Sequence, residues 1–331
     1  MAGSVHLDLG INGAFLTRRW EHPQNWMRLT AELGYPYHEF CSDVLDPFFS
    51  GDESYQMDTA QAVYEEARKH KVIVWDIYTG FATHRFHGLA HSNATVRARM
   101  ADWVRRTMHL ALAMGATRVG GHWDAIAVEF VGEQAAVTAI EARTVSYFRD
   151  LAEYGQSIGI SAIYNEQMYI PSERPWTITG AAEFLLAANR DRVGIPLYLT
   201  IDVGHQAGMH YGATGDDLDY RAWLRTLAPF CEVIHLQQTT PDASHHWPFT
   251  PEYNQRGHIR IEEVLTAIHE GFQRARTSPL AKVLDPVGQQ ILVAEIIPGS
   301  TKTETQLLKE LEISAKYLRQ FVPEGGISLA Y

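Results

Sequence analysis

The stretch Leu197-Tyr198-Leu199-Thr200-Ile201-Asp202-Val203-Gly204-His205 reads as a strand with few polar interruptions that ends in an acid and a histidine. A strand lacking the alternation of a half-exposed sheet belongs to a parallel sheet covered on both faces. Similar short runs recur on either side of it, at residues 5–12, 37–41, 73–79, 118–123 and 161–167 before it and at 232–238 and 291–297 after it. Between them lie longer stretches patterned at helical spacing, among them 94–114, 134–157, 219–230, 261–276 and 304–321. The last follows a Thr/Ser-rich start that can cap it. Eight strands, each followed by a helix, predict an α/β protein folded as a (β/α)8 TIM barrel. A doubly wound open sheet is the alternative, but it calls for a Gly-rich nucleotide fingerprint after the first strand, and Gly10-Ile11-Asn12-Gly13 does not supply one.

No linker, low-complexity tract or sequence repeat divides the chain, so residues 1–331 are expected to form one barrel domain. Two connections are long: residues 80–92 after strand three, with His84, Arg85, His87 and His91, and residues 239–258 after strand seven, with Asp242, His245, His246, Trp247, Arg256 and His258. In a barrel both emerge on the C-terminal face, where barrel enzymes work.

The 331 residues are 46% hydrophobic and 20% charged, an ordinary globular composition. A formal net charge of -11, with no Lys/Arg-rich block, argues against a nucleic-acid partner. It argues less against a small anionic metabolite, which a few local cations can hold. Two cysteines, Cys41 and Cys231, are too few for a disulfide framework and suggest a reducing compartment. The N-terminus has neither the basic nor the apolar region of a signal peptide, and no apolar run nears the roughly 18 residues of a membrane span. A cytoplasmic protein with no membrane partner is expected.

Four polar residues stand at the C-terminal ends of predicted strands: Glu166, Asp202, His235 and Glu295. Taken singly, each carboxylate reads as a surface ion-pair partner or a helix cap, and the histidine as a satisfied core residue. Taken together, three carboxylates and an imidazole embedded in apolar strands at one height form a costly charge cluster without a cation. Oxygen donors with one imidazole suit Mn²⁺ first, with Mg²⁺ or Co²⁺ as alternatives, and the lack of thiolates argues against structural zinc.

The Asp202-Val203-Gly204-His205 and His235-Leu236-Gln237 motifs, with Glu166 and Glu295, resemble the xylose isomerase-like TIM-barrel superfamily. Within it they are most similar to the tagatose/psicose-type ketose 3-epimerases. The run His6-Leu7-Asp8-Leu9-Gly10-Ile11-Asn12-Gly13-Ala14-Phe15 resembles the erythritol-catabolism branch, the erythrulose 1-phosphate 3-epimerases. The resemblance covers essentially the whole chain. It implies a metal-dependent inversion at C3 of a ketose, a phosphorylated tetrulose in the closer branch, and barrels that often pair into homo-oligomers. The C3 proton of a 2-ketose is only moderately acidic, and a metal chelated by O2 and O3 stabilises the enediolate left by its loss. Reprotonation from the opposite face requires two acid/base groups. The resemblance gives that role to Glu166 and Glu295, which are also ligands, and leaves Asp202 and His235 as ligands only.

For substrate contacts the resemblance offers His205, matching a histidine that hydrogen-bonds the sugar; a hydrogen bond to Asp202 is its alternative role. The family also places an arginine six residues beyond the histidine ligand. Here Pro241 stands there, with Arg256 in the same loop as a replacement. His122 and Trp123, ending strand four, are expected to line the pocket, and Asn12 and Glu39 are weaker candidates. Pro298-Gly299-Ser300-Thr301-Lys302-Thr303 reads equally as a phosphate cradle, through Ser300 and Lys302, and as a simple capping turn. The competing functions are an aldose–ketose isomerase on the same site, an apurinic-site endonuclease-like hydrolase and a non-catalytic sugar-binding barrel.

Overall fold

A computed structural model describes residues 3–80 and 82–331; Phe81, in the connection after strand three, lies outside them. The strands are β1 (Ser4–Asn12), β2 (Tyr37–Cys41), β3 (Ile73–Tyr78), β4 (Arg118–Gly120), β5 (Ala162–Glu166), β6 (Leu197–Asp202), β7 (Val233–Leu236), β8 (Gln289–Ala294) and β9 (Ile327–Ala330). The helices are α1 (Pro23–Glu32), α2 (Glu53–His70), α3 (Ala94–Ala113), α4 (Val128–Val131), α5 (Gln134–Ile158), α6 (Ile178–Asn189), α7 (Tyr220–Leu227), α8 (Pro251–Arg256), α9 (Ile261–Arg274) and α10 (Glu304–Leu318). Strands β1 to β8 pair in parallel with their sequence neighbours, and β8 and β2 both pair with β1, which closes the barrel. All eight predicted strands are present. The ninth, β9, runs antiparallel to the start of β1 and has no counterpart in the sequence reading.

Side chains alternate along a strand, so the residue two places before an inward-facing one also faces inward. Tyr164 stands two before Glu166, Val233 two before His235 and Val293 two before Glu295. All three are buried in one apolar cluster with Trp75 and Ile291. They fill the barrel beneath the polar residues, as a packed barrel core requires. The larger apolar cluster lies between the strands and the surrounding helices.

Local chemistry sets the helix starts. Asn93 accepts from the Thr95 amide to open α3, and Asp219 accepts from Arg221 to open α7. Thr303 and Gln306 form a reciprocal capping box at α10. Strands six and eight end three residues before their predicted limits, at Asp202 and Ala294, and so does strand four. It stops at Gly120 because Gly121, at φ 137°, turns the chain away.

Candidate metal centre

Glu166 ends β5, Asp202 ends β6, His235 lies in β7 and Glu295 follows β8. Asp202 pairs with His235 across β6 and β7, His235 with Val293 across β7 and β8, and the Glu295 amide bonds the Leu236 carbonyl at 3.0 Å. This register puts the four side chains in one layer at the barrel mouth. Each is buried, and each offers a donor atom within 4.8 Å of the other three.

The donor atoms converge without bonding one another. His235 Nδ1 lies 3.2 Å from Glu295 Oε2 and 3.4 Å from Glu166 Oε1. Both His235 Nδ1 and Glu295 Oε2 are buried without a well-directed hydrogen bond. Orphaned polar atoms are costly in an interior, and a cation at their shared centre satisfies them together. The residues therefore fit a divalent metal of the Mn²⁺, Mg²⁺ or Co²⁺ type, with three oxygens and one nitrogen. Cys41 lines the same cavity, and burial, with Asp43 beside it, pushes its thiol well above the ordinary range.

Supporting contacts orient the donors. Glu39 lies 3.0–3.1 Å from His235 Nε2 and accepts a 2.5 Å hydrogen bond from Asn12 Nδ2. Holding Nε2 in this way leaves Nδ1 as the ligand atom, the usual carboxylate–histidine arrangement of metal sites. Gln237 Nε2 donates to Asp202 Oδ2 at 2.8 Å and to Ser244 Oγ at 2.9 Å, while its Oε1 accepts from the His246 amide at 2.6 Å. The Gly204 amide also donates to Asp202 Oδ1, at 2.6 Å. Burial opposes charge on Glu295, but His235 and His246 hold its carboxyl well below the usual range. Asp202 is shifted the other way, because burial outweighs the nearby histidines.

A cavity of about 290 Å³ opens over this layer. Glu166, Glu295, His205 and Asn12 line it, joined by His84, Arg85, Asp43, Tyr169, Glu173 and His246. His205 Nδ1 lies 2.9 Å from the Gln167 carbonyl and Nε2 lies 3.4 Å from Asp202 Oδ2, so His205 touches both the cavity and the acid beside it. Glu39 sits beneath the layer rather than in the cavity wall.

Several sequence-predicted contacts lie elsewhere. Trp123 is fully buried and stacks on Phe148 with ring centroids 5.4 Å apart; the turn at Gly121 sends it outward into the helix-facing core. His122 is buried beside His84, 5.5 Å between centroids, and it is His84 that reaches the cavity. Arg256 is half exposed and lies over the Trp247 ring, 4.5 Å from its centroid, outside the cavity wall. Lys302 pairs with Glu310, Ser300 is exposed, and Arg19 occupies the carbonyls of Gly299 and Lys302. That turn leads into α10, which Thr303 caps.

His246 was not singled out by the sequence. It stands at φ 51°, with Nδ1 3.2 Å from Glu295 Oε2, and with Asp202 and His205 it forms a second group of close donor atoms. Its only signal was its place in a long, histidine-rich loop. Glu173 and Asp43 gave none, because nothing in their spacing ties them to the strand ends.

The family model described as xylose isomerase-like TIM barrel matches residues 27–276. A curated relative, D-erythrulose 1-phosphate 3-epimerase of Brucella abortus (strain 2308), is 27% identical over 190 residues. That match covers 56% of this chain and 60% of the relative. Among solved structures, a Rhodospirillum rubrum protein described provisionally as a xylose isomerase superposes with a TM-score of 0.79 at 22% identity, covering 95% of this chain and 99% of its own. D-psicose 3-epimerase with D-tagatose, from Clostridium cellulolyticum H10, gives a TM-score of 0.65 at 13% identity, covering 95% and 98%.

Proposed function

The chain belongs to the xylose isomerase-like TIM barrel family, and from that premise we propose that it is a divalent-metal-dependent epimerase inverting C3 of a ketose. The observation that carries this reading is the pair Glu166 and Glu295. Both line the cavity, and both lie within 3.4 Å of the same His235 nitrogen. They come from strands three places apart around the ring, so a ketose lying over the layer has a carboxylate toward each face. When bound, the metal supplies Lewis acidity at the ketose oxygens and lowers the cost of removing the C3 proton. One glutamate takes that proton and the other delivers one to the opposite face. Asp202 and His235 complete the ligand set, and His205 donates to the sugar carbonyl or the adjacent hydroxyl.

The substrate proposed is a phosphorylated tetrulose such as erythrulose 1-phosphate, the sugar acted on by the curated relative. Arg85 and His84 both stand in the cavity wall, and the phosphate is assigned to their side. Two acids in the same wall, Asp43 and Glu173, favour an uncharged ketose as the second reading.

Incubation with tetruloses, pentuloses and hexuloses, free and phosphorylated, in D2O with Mn²⁺ tests the reading. Deuterium at C3 with inversion is the expected result. Label at C1 or C2 overturns it in favour of an aldose–ketose isomerase. Glu166→Gln and Glu295→Gln are each expected to abolish inversion at C3, and full epimerisation by either variant rules out the two-base mechanism.

A further inference from the structure

A second cavity, of about 590 Å³, lies on the flank of the barrel between α5, α6 and the segments that follow β4 and β5. It is roughly twice the size of the cavity at the mouth and falls within the usual range for small-molecule sites. Apolar and aromatic side chains, Ile126, Ile140, Phe184 and Trp176, make much of its wall.

Two buried side-chain oxygens in this wall have no hydrogen-bond partner among the described residues. Asp124 is 6% exposed and Thr144 is 4% exposed, and neither Asp124 Oδ1 nor Thr144 Oγ1 makes a hydrogen bond among the described residues. The threonine is buried and still leaves its hydroxyl unused. A helical threonine commonly returns its hydroxyl to the carbonyl four residues back, and Thr30, Thr107, Thr226 and Thr266 all do so at 2.7–2.9 Å. Thr144, in α5, does not.

Two of the charged groups nearby are engaged, and Glu183 and Arg190 stand exposed at its rim. Arg174 pairs with Glu141 at 2.8 Å, and Arg149 donates to the carbonyls of Ala187 and Arg190. What remains unanswered in this mixed apolar and polar wall is a buried acceptor and a buried hydroxyl. Burial, reinforced by Glu173 and Glu141 and only partly offset by Arg174, pushes the Asp124 carboxyl up to about 7. A hydrogen-bond-donating cation with an apolar body supplies what is missing.

We propose that this cavity binds a small primary amine with an aromatic or branched apolar body, its ammonium on Asp124 and Thr144 and its body against Trp176 and Phe184. The inference is independent of the reaction proposed for the barrel mouth.

Calorimetric titration of the metal-loaded full chain with 2-phenylethylamine tests it, with 2-phenylethanol and phenylacetate as shape-matched probes. Saturable one-site binding of the amine is expected, with the alcohol weaker by about tenfold or more and no binding of the acid. Asp124→Asn keeps the shape and removes the charge; it is expected to weaken the amine by about tenfold or more. Ala187→Trp, which places an indole in the chamber, should abolish binding, whereas Glu166→Gln at the barrel mouth should leave it unchanged. No saturable binding, equal binding of the three probes, or undiminished affinity in Asp124→Asn overturns the proposal.

Discussion

Replacing Gln237 by methionine keeps the length of the side chain and removes its amide. The amide now spans two elements: its nitrogen donates to the Asp202 carboxylate and to Ser244, and its oxygen accepts from the His246 amide. The residue is fully buried, so water does not replace these bonds. A hydrogen bond to a charged acceptor contributes about 1.5–3 kcal/mol, and an orphaned buried amide costs about 1–3 kcal/mol. Asp202 keeps the Gly204 amide as a donor, which limits the first loss. The sum for Gln237→Met is about 3–5 kcal/mol of stability. Because Gln237 orients a proposed ligand, the metal Kd should also rise by about 10- to 100-fold. Urea unfolding measures the first effect and competition against a calibrated chelator the second. A variant that loses less than about 1 kcal/mol and binds Mn²⁺ as tightly as the parent would refute the claim that Gln237 holds Asp202 and the loop together.

Gly204→Ala should be destabilising by about 1–3 kcal/mol in the same unfolding assay, because its Cβ would lie 2.3 Å from Gln237 Cδ, on a side chain that cannot swing away. Chelation of bound metal should lower Tm by several degrees and added Mn²⁺ should restore it, since a ligand at about 1,000 times its Kd stabilises by about 4 kcal/mol; an identical Tm with and without chelator contradicts a metal in this layer. Asp124 gives a pH dependence of stability. Its folded carboxyl titrates at about 7 rather than at its ordinary 3.8, so the folded state binds the extra proton and stability falls as pH rises between those values. From about pH 5 to about pH 8 this group alone removes about 2–3 kcal/mol, and Asp124→Asn should flatten that part of the profile measured by urea midpoints.

The fold was legible because the strands announce themselves. Runs such as Leu197–Asp202 carry apolar residues on both faces, and the long helices between them keep their spacing. Strand β9 was missed because Ile327, Ser328, Leu329 and Ala330 alternate between half-buried and exposed and owe their state to pairing with β1, a partner more than 300 residues away. At the site, strand-end residues were legible for the same reason: register and a period of two dictate where Glu166, Asp202 and His235 point. Loop residues were not. Trp123 sits only three residues past β4, yet one turn at Gly121 separates it from the mouth. Lys302 and Arg256 have the right chemistry for an anion, but Glu310 and the Trp247 ring hold them elsewhere. His246 reaches the site only because its backbone adopts a left-handed conformation, which no spacing rule encodes.

The connection after β7 is long, but its length is not slack. Gln238 and Trp247 exchange backbone hydrogen bonds of 2.8 and 3.0 Å, the His258 amide bonds the Thr239 carbonyl at 2.9 Å, and Gln238 Oε1 accepts from the amides of Thr239 and Ile259. Its amides should therefore exchange with solvent on the timescale of the strands rather than of a surface loop. A wall that slow does not close over a guest. It presents its shape beforehand, so on that side of the mouth discrimination between sugars is a matter of what fits a fixed mould, and any gating motion falls to the other connections of the rim.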